Sequence, residues 1–236
     1  MKIGIIGAKG FIGQVIYNHL KGNHELSPIY QAGGTSHYDI VIDCNGSSSK
    51  YKAEQDPVED FKKSVDSVMY YTNHLHYDKY IYISSIDAEF PSGSNYGFNR
   101  EIAEQVVIRY TNNWTIIRLC SVIGSEAKKG IVYDILNDKK LFVQKDSMIQ
   151  VIPVDVVAKN VPAAFYDHDY QILRFYSHGG IKVNEICNMF GKNPDMDIDA
   201  NFQLYNEGIS DLEFKTSEEY LKQTFHERVV KSVESV

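Results

Sequence analysis

The sequence has no long apolar run. Its first apolar stretch, "KIGIIG", ends in glycine after a few residues, too short to span a membrane and without the plan of a secretory signal. No membrane role is expected. It has no basic block either. With a formal net charge of −7, the chain has no face to offer a polyanion, which argues against nucleic acid as its main ligand. Cysteine is scarce: Cys44, Cys120 and Cys187 are odd in number and far apart, so neither a disulfide framework nor a metal-ligand spacing is present. A reducing cytoplasm is the expected setting. His74 and His76 stand two apart, a spacing that does not share a helix face, and they read as solvated helix-end residues; no metal is expected. Repeats, low-complexity segments and linkers are absent.

What is present is alternation. "KIGIIG", "YDIVIDC", "KYIYISS", "WTIIRLC" and "QILRFYS" are apolar, β-branched runs that read as strands. Between them lie amphipathic helical stretches. "FIGQVIYNHLKGN" stops at Gly22, and "DPVEDFKKSVDSVMYYTNHL" starts with Asp56 as cap and Pro57 in the first turn. "TSEEYLKQTFHERVV" carries Thr216 or Ser217 as cap with Glu219 near the capping-box position. Alternating strands and helices predict an α/β fold: a Rossmann-like, doubly wound parallel sheet with helices on both faces. The 236 residues fit one domain, 1–236, with about 120–150 and 170–215 forming a small C-terminal lobe on the substrate side. Trp114, at the start of a strand, reads as core, and the tyrosines from Tyr70 to Tyr82 as packing near the sheet edge.

"GAKGFIG" joins the first strand to the first helix. Gly7, Gly10 and Gly13 have the spacing that permits a sharp turn, close approach of a pyrophosphate and close packing of helix on strand. The helix start then offers free N–H groups to phosphates. The rival reading is a tight turn without a ligand. An acidic residue that would hold an NAD ribose is missing from "YQAGGTSH", and Lys9 lies inside the loop, where it meets a 2′-phosphate or only solvent. The cofactor reading is therefore NAD or NADP, leaning to NADP.

"SGSNYGFNREIAEQVV" places Tyr96 and Arg100 four apart on one helix face. Read alone, this is a surface helix start with the arginine bound to Glu101 or Glu104. In order along the chain, "GAKGFIG", "DIVIDCNG", "YIYISSIDAEF", "YGFNREIAEQ", "IIRLCSVIG", "VIPVDVVAKNV" and "FKTSEEYLKQTF" resemble the segments of the extended short-chain dehydrogenase/reductase family, the NAD(P)-dependent nucleotide-sugar epimerases, dehydratases and reductases. The resemblance covers nearly the whole chain. It implies Tyr96 as general acid/base, Ser85 orienting the reacting oxygen, and Arg100 in place of the usual lysine. It implies a cofactor on Gly7, Lys9, Gly10, Phe11, Ile12, Gly13, Asn45 and Gly46, with Asp87 and Ser121 towards a sugar or nucleotide-sugar substrate. It also implies a homodimer through the helices at 56–75 and 96–111.

Three departures stand against the family pattern. Arginine keeps the charge but is a planar fork and not a point contact. Only eight residues separate "SPIY" from the strand at Asp39, where the family fits a further strand and helix that help form the adenine pocket. Leu119 and Ser121 replace the family's Pro and Asn beside the substrate. A non-catalytic NAD(P)-binding regulatory protein of the same fold is the alternative these departures permit. Ser47 or Ser48 and Asp155 read as helix caps, and Cys120 as a packed strand end.

Overall fold

The computed structural model describes residues 1–31, 35–47, 49–166, 169–196 and 210–233. Ser48 and most of the "QAGG" stretch fall outside them. In chain order the elements are β1 Lys2–Ile6, α1 Phe11–Leu20, β2 Glu25–Ile29, β3 His37–Asp43, α2 Lys50–Gln55, α3 Pro57–Phe61, α4 Ser67–His74, β4 His76–Ser85, α5 Asn95–Tyr110 and β5 Trp114–Leu119. Then follow β6 Ser121–Ile123, α6 Ile131–Leu136, β7 Met148–Ile149, β8 Val151–Pro153, α7 Val154–Asn160, β9 Gln171–Phe175, β10 Ile181–Lys182, α8 Val183–Met189, α9 Ser217–Thr224 and α10 His226–Val233.

The chain divides into two compact units. The first comprises Met1–Leu119 and Asp155–Leu173, the second Cys120–Val154 and Arg174–Val236. The main sheet has the order β2-β1-β3-β4-β5-β9. The β1–β2, β1–β3, β3–β4 and β4–β5 pairs run parallel. Parallel strands covered on both faces must be apolar along their length. Ile3, Ile5, Val41, Ile42, Ile81, Ile116 and Ile117 are accordingly fully buried. Among the described residues the order is that of a Rossmann-like, doubly wound sheet without its outermost strand, for in the classic 3-2-1-4-5-6 order another strand would lie beyond β2. The eight-residue gap read from the sequence thus appears as an edge: β2 borders the sheet.

Local chemistry sets the helix ends. Lys21 caps α1 and Gly22 follows at φ +95°, a conformation that glycine adopts without a Cβ penalty. Asp56 accepts the Glu59 amide at 3.0 Å with Pro57 in the first turn, and Thr216 and Glu219 form a reciprocal capping box. The long helix expected from 56 onward is interrupted by a π-helical turn, Lys62–Asp66, before α4. The final helix breaks at Phe225 into α9 and α10. Trp114 is only half-buried, standing edge-on to Tyr170, because it opens β5 at the sheet's lower rim. Tyr80 and Tyr82 take the core positions instead.

The second unit holds two small sheets, β6 with β8 and β7 with β10. A hydroxyl pair, Ser177 and Ser217 at 2.7 Å, ties the chain after β9 to the start of α9.

Candidate active site

The site is built where the strands β1, β3 and β4 end. Gly7 turns the chain at φ +74°, and a Cβ there would lie 3.0 Å from the carbonyl group of Cys44 and 3.1 Å from the Asn45 nitrogen. The Gly10 amide donates to the Gly7 carbonyl at 2.8 Å, and a Cβ on Gly13 would come within 2.9 Å of the Gly7 carbonyl carbon. The three glycines therefore hold the loop in a shape that side chains would fill. Gly10 is the N-cap of α1 and has no side chain to cap it. Among the described residues no cap side chain meets the first-turn amides, which include those of Phe11 and Ile12. Phe11 and Ile12 are half-buried. Lys9 is exposed, with its Nζ 4.6 Å above the centroid of the Tyr30 ring.

The segment after β3 connects the glycine loop to the rest of the site. Cys44 and Asn45 abut Gly7, as above. The Asn45 amide donates to Asp43 Oδ1 at 2.8 Å, which turns the chain away from the strand. Gly46 stands at φ +120°, and a Cβ there would collide with the Arg100 guanidinium, 2.8 Å from Nη2. Ser49 caps α2. Lys50 then donates to Asp87 Oδ1 at 2.5 Å. The other oxygen of Asp87 accepts from Ser85 Oγ at 2.9 Å. Ser85, Asp87 and Lys50 thus form one hydrogen-bonded chain, from a nearly buried hydroxyl to a partly exposed ammonium.

Tyr96 lies in the first turn of α5, which is capped by Ser94 and by Glu54, whose carboxylate accepts from both nitrogens of Asn95 at 2.7 Å. Next to it, Gly97 lets the helix close on the Ser85 turn. A Cβ at Gly97 would sit 2.7 Å from the Asp87 carbonyl oxygen. Arg100, one turn later, is not at the surface. It is 5 % exposed, its guanidinium carbon 5.2 Å from the centroid of the Tyr96 ring. Nη1 donates to the Tyr82 hydroxyl at 2.9 Å, Nη2 donates to the Ser47 carbonyl, and Nε is buried with no partner. The surface alternative, with Glu101 or Glu104 as partner, fails. Glu104 instead accepts from Arg118 at 2.7 Å and from Ser84 at 2.5 Å.

Electrostatics follow from this burial. Asp43 is fully buried, and desolvation raises its carboxyl above the ordinary value, opposed by hydrogen bonds from Tyr80 and the Asn45 amide and by the Arg100 charge. The Tyr82 hydroxyl is pushed up to about 12 by burial, with Arg100 working against the rise, so it stays a neutral phenol. Burial disfavours the Arg100 charge, but Tyr82 and Tyr96 outweigh it and its pKa moves up. Arg100 is therefore a fixed cation that cannot exchange protons. Asp43 and Arg100, with no ion pair between them among the described residues, are linked through the neighbouring β4 tyrosines, Tyr80 and Tyr82.

The structure thus brings together Gly7, Gly10, Gly13, Asn45, Gly46, Ser85, Asp87, Tyr96 and Arg100 within the first unit. Ser121 belongs to the second, where its amide donates to Gln150 and β6 pairs with β8. Sequence reading missed Lys50, Gly97, Tyr82, Asp43 and Tyr30. The one available signal was Gly97, a glycine inside a helical pattern. A cavity of about 600 Å³ lies in the second unit, lined by His178, Glu185, Thr216 and Lys222 among others, and includes none of the expected site residues. At the opposite end of the main sheet His37, Asp39 and Asp78 gather within 4.8 Å. They are accounted for by the His37–Asp78 pair at 3.1 Å and by the Lys2 amide on Asp39.

No family model matches the chain, and no curated protein matches it in sequence. Solved structures do match in fold. UDP-glucose 4-epimerase with UDP-glucose from Thermotoga maritima aligns over 100% of this chain and 99% of its own, at 17% identity and a TM-score of 0.72. The dTDP-4-dehydrorhamnose reductase of Bacillus anthracis in complex with NADP aligns over 96% and 98%, at 16% and 0.75. UDP-N-acetylglucosamine 4-epimerase from Methanobrevibacter ruminantium aligns over 100% and 99%, at 14% and 0.74. The Rossmann-like fold expected from the sequence is the fold these proteins share with the chain.

Proposed function

We propose that the chain is an NAD(P)-dependent oxidoreductase or epimerase acting on a carbonyl or hydroxyl of a sugar, most naturally a nucleotide-linked one. The observation that supports it is the convergence on residues 44–47 and Lys50. The glycine loop meets them at Cys44 and Asn45, Arg100 of the Tyr96 helix at Gly46 and Ser47, and the Ser85–Asp87 turn at Lys50. These are the carboxyl ends of parallel strands, where open α/β sheets bind their ligands. The loop fits a dinucleotide: three glycines whose Cβ atoms would fill the cradle, and helix amides without a cap. Gly7, Gly10 and Gly13 would hold the pyrophosphate, with Phe11 and Ile12 supplying amides and Asn45 and Gly46 lining the far side. A bound nicotinamide supplies hydride transfer.

The chain's own part is proton handling and orientation. Tyr96 exchanges a proton with the substrate oxygen. Ser85 hydrogen-bonds that oxygen, giving up its bond to Asp87 to do so. Arg100 supplies a fixed positive charge beside the Tyr96 ring, its guanidinium carbon 5.2 Å from the ring centroid. Asp87, next to Ser85, is assigned to the substrate's polar groups. Lys9 in the loop and the lack of an Asp or Glu in "YQAGGTSH" favour NADP.

The first test is calorimetric titration with NAD, NADH, NADP and NADPH. Micromolar binding of one pair, followed by turnover in a keto-sugar screen that Tyr96→Phe abolishes, supports the enzyme. A non-catalytic NAD(P)-binding protein is the second reading, favoured by the commitment of Arg100 to Tyr82 and Ser47. Tight cofactor binding with no gain of turnover in Arg100→Lys supports that one. We also propose a homodimer in the cytoplasm. Phe61, Tyr70, Phe98 and Tyr110, on α3, α4 and α5, are all exposed, and a second copy of the chain would cover them. A clean monomer by light scattering at micromolar concentration counts against it.

A further inference from the structure

The triplet His-Tyr-Asp occurs twice in the chain, at 37–39 and at 76–78. Each copy opens a strand, β3 or β4, so His76 belongs to a strand and not to the helix end before it. The two strands are parallel neighbours, in a register that sets His37 against His76 and Tyr38 against Tyr77. The donor atoms of His37, Asp39 and Asp78 lie within 4.8 Å of one another. His37 Nε2 is 3.1 Å from Asp78 Oδ1, and Asp39 Oδ2 accepts the Lys2 amide at 2.7 Å. Those bonds account for how the three side chains are held, and they use only one oxygen of each carboxylate. Among the described residues neither carboxylate forms a salt bridge with lysine or arginine, and the Lys2 ammonium lies 5.3 Å over the Tyr38 ring instead. A cavity of about 280 Å³ adjoins, bordered by His37, His76 and Asp78 and by Leu75 and Tyr110. Leu75 caps α4 and Tyr110 ends α5, and the C-terminus of a helix carries partial negative charge. Two carboxylates, an imidazole and two negative helix ends thus meet with no fixed cation among them.

We propose that His37, Asp39 and Asp78 bind a divalent transition-metal ion of the zinc type, which cross-links β3 to β4 at the amino ends of the strands. Imidazole nitrogen and carboxylate oxygen are both zinc ligands, and three of them leave one position to solvent. Tetrahedral zinc sets its ligand atoms about 3.3 Å apart, so the donors close by at most about 1.5 Å. His37 and Asp78 are exposed and free to turn that far. A nitrogen donor beside two carboxylates favours zinc over magnesium, which prefers oxygen alone. The site lies at the other end of the sheet from the glycine loop. It is a fastening for the two strands and is independent of the reaction proposed above.

The test is calorimetry and thermal unfolding of the intact, untagged chain with Zn²⁺, Mn²⁺ and Mg²⁺ as probes, after dialysis against a chelator. Wild type is expected to take up a single Zn²⁺ with micromolar affinity, Mn²⁺ more weakly and Mg²⁺ least. Its melting temperature should rise by about 5–10 °C at a hundredfold excess over Kd. His37→Ala and Asp78→Asn should each weaken Zn²⁺ at least about tenfold. Both residues are exposed, so these variants fold, which unfolding without metal checks. His19→Ala, at an exposed position on α1, should leave Zn²⁺ binding unchanged. If wild type binds Zn²⁺ no better than millimolar, the three residues form a surface ion pair only and the proposal is overturned. If His37→Ala and Asp78→Asn bind Zn²⁺ as tightly as wild type, the ion sits on other histidines or cysteines and this site is refuted. Neither outcome bears on dinucleotide binding, which is measured apart from it.

Discussion

Replacing Gly46 by alanine should be among the most damaging small changes in the chain, and Arg100 should be the reason. Two costs add. The backbone at φ +120° is a region that L side chains rarely adopt, worth about 1–3 kcal/mol. The new methyl would also stand 2.8 Å from Nη2 and 2.9 Å from Nη1 of a buried guanidinium. That group is pinned by Tyr82 and Ser47 and has little freedom to withdraw, so overpacking adds about 1–3 kcal/mol. We expect a total of about 3–5 kcal/mol by urea denaturation. The diagnostic is a double-mutant cycle. In an Arg100→Ala background the collision disappears and only the backbone part remains. The two changes should then be coupled by about 1–3 kcal/mol. If Gly46→Ala costs the same with and without Arg100, within about 0.5 kcal/mol, the packing of Gly46 on the guanidinium plays no part in stability and the argument for a fitted pair is wrong.

Other predictions follow from neighbouring groups. Gly13→Val should abolish dinucleotide binding in calorimetry, since even a Cβ at this position runs into the Gly7 carbonyl. Glu104→Gln breaks a buried pair with Arg118 and should cost about 3–5 kcal/mol, read as a fall of roughly 10 °C in melting temperature. Asp43 titrates higher in the folded chain than in the unfolded one, so the folded state holds the proton more tightly. Its contribution is complete below the unfolded value of about 3.9 and is lost as pH rises through the folded value. Urea midpoints measured upward from pH 4 should therefore fall more in wild type than in Asp43→Asn, and parallel profiles would contradict this. Lys50→Met should leave the melting temperature within a few degrees of wild type but remove one partner of the Asp87 carboxylate, read as a displaced Asp87 carboxyl resonance in NMR at neutral pH; an unmoved resonance would contradict the pairing.

Much of the scaffold was legible because it rests on short-range rules. Apolar β-branched runs marked β1, β3, β4 and β5, and Asp56–Pro57 and Thr216–Glu219 marked helix starts, since those bonds span three residues. The eight-residue gap before β3 was enough to foresee that the sheet would lack an outer strand. The site was legible only in part. Gly7, Gly10 and Gly13 speak through spacing, and Tyr96 and Arg100 through one helical turn. The partners of Arg100 do not: Ser47 and Tyr82 are 53 and 18 residues away, brought in by the parallel register of β3 and β4. Lys50 meets Asp87 across 37 residues for the same reason. Side-chain packing decided that Tyr82 and not Trp114 fills the core, and a π-helical turn, which has no simple sequence signal, divided the helix after Asp56.

The bordering strand β2 has a bearing on solubility. A sheet edge exposes a row of unpaired amides and carbonyls to which another polypeptide can add, and dropping an outer strand creates such an edge. Here the edge is only five residues long and contains Pro28, which lacks an N–H and is tolerated in a paired strand when that missing donor faces outward. The shortened fold therefore carries its own block against edge-to-edge aggregation, set in the strand that the outer one would have covered.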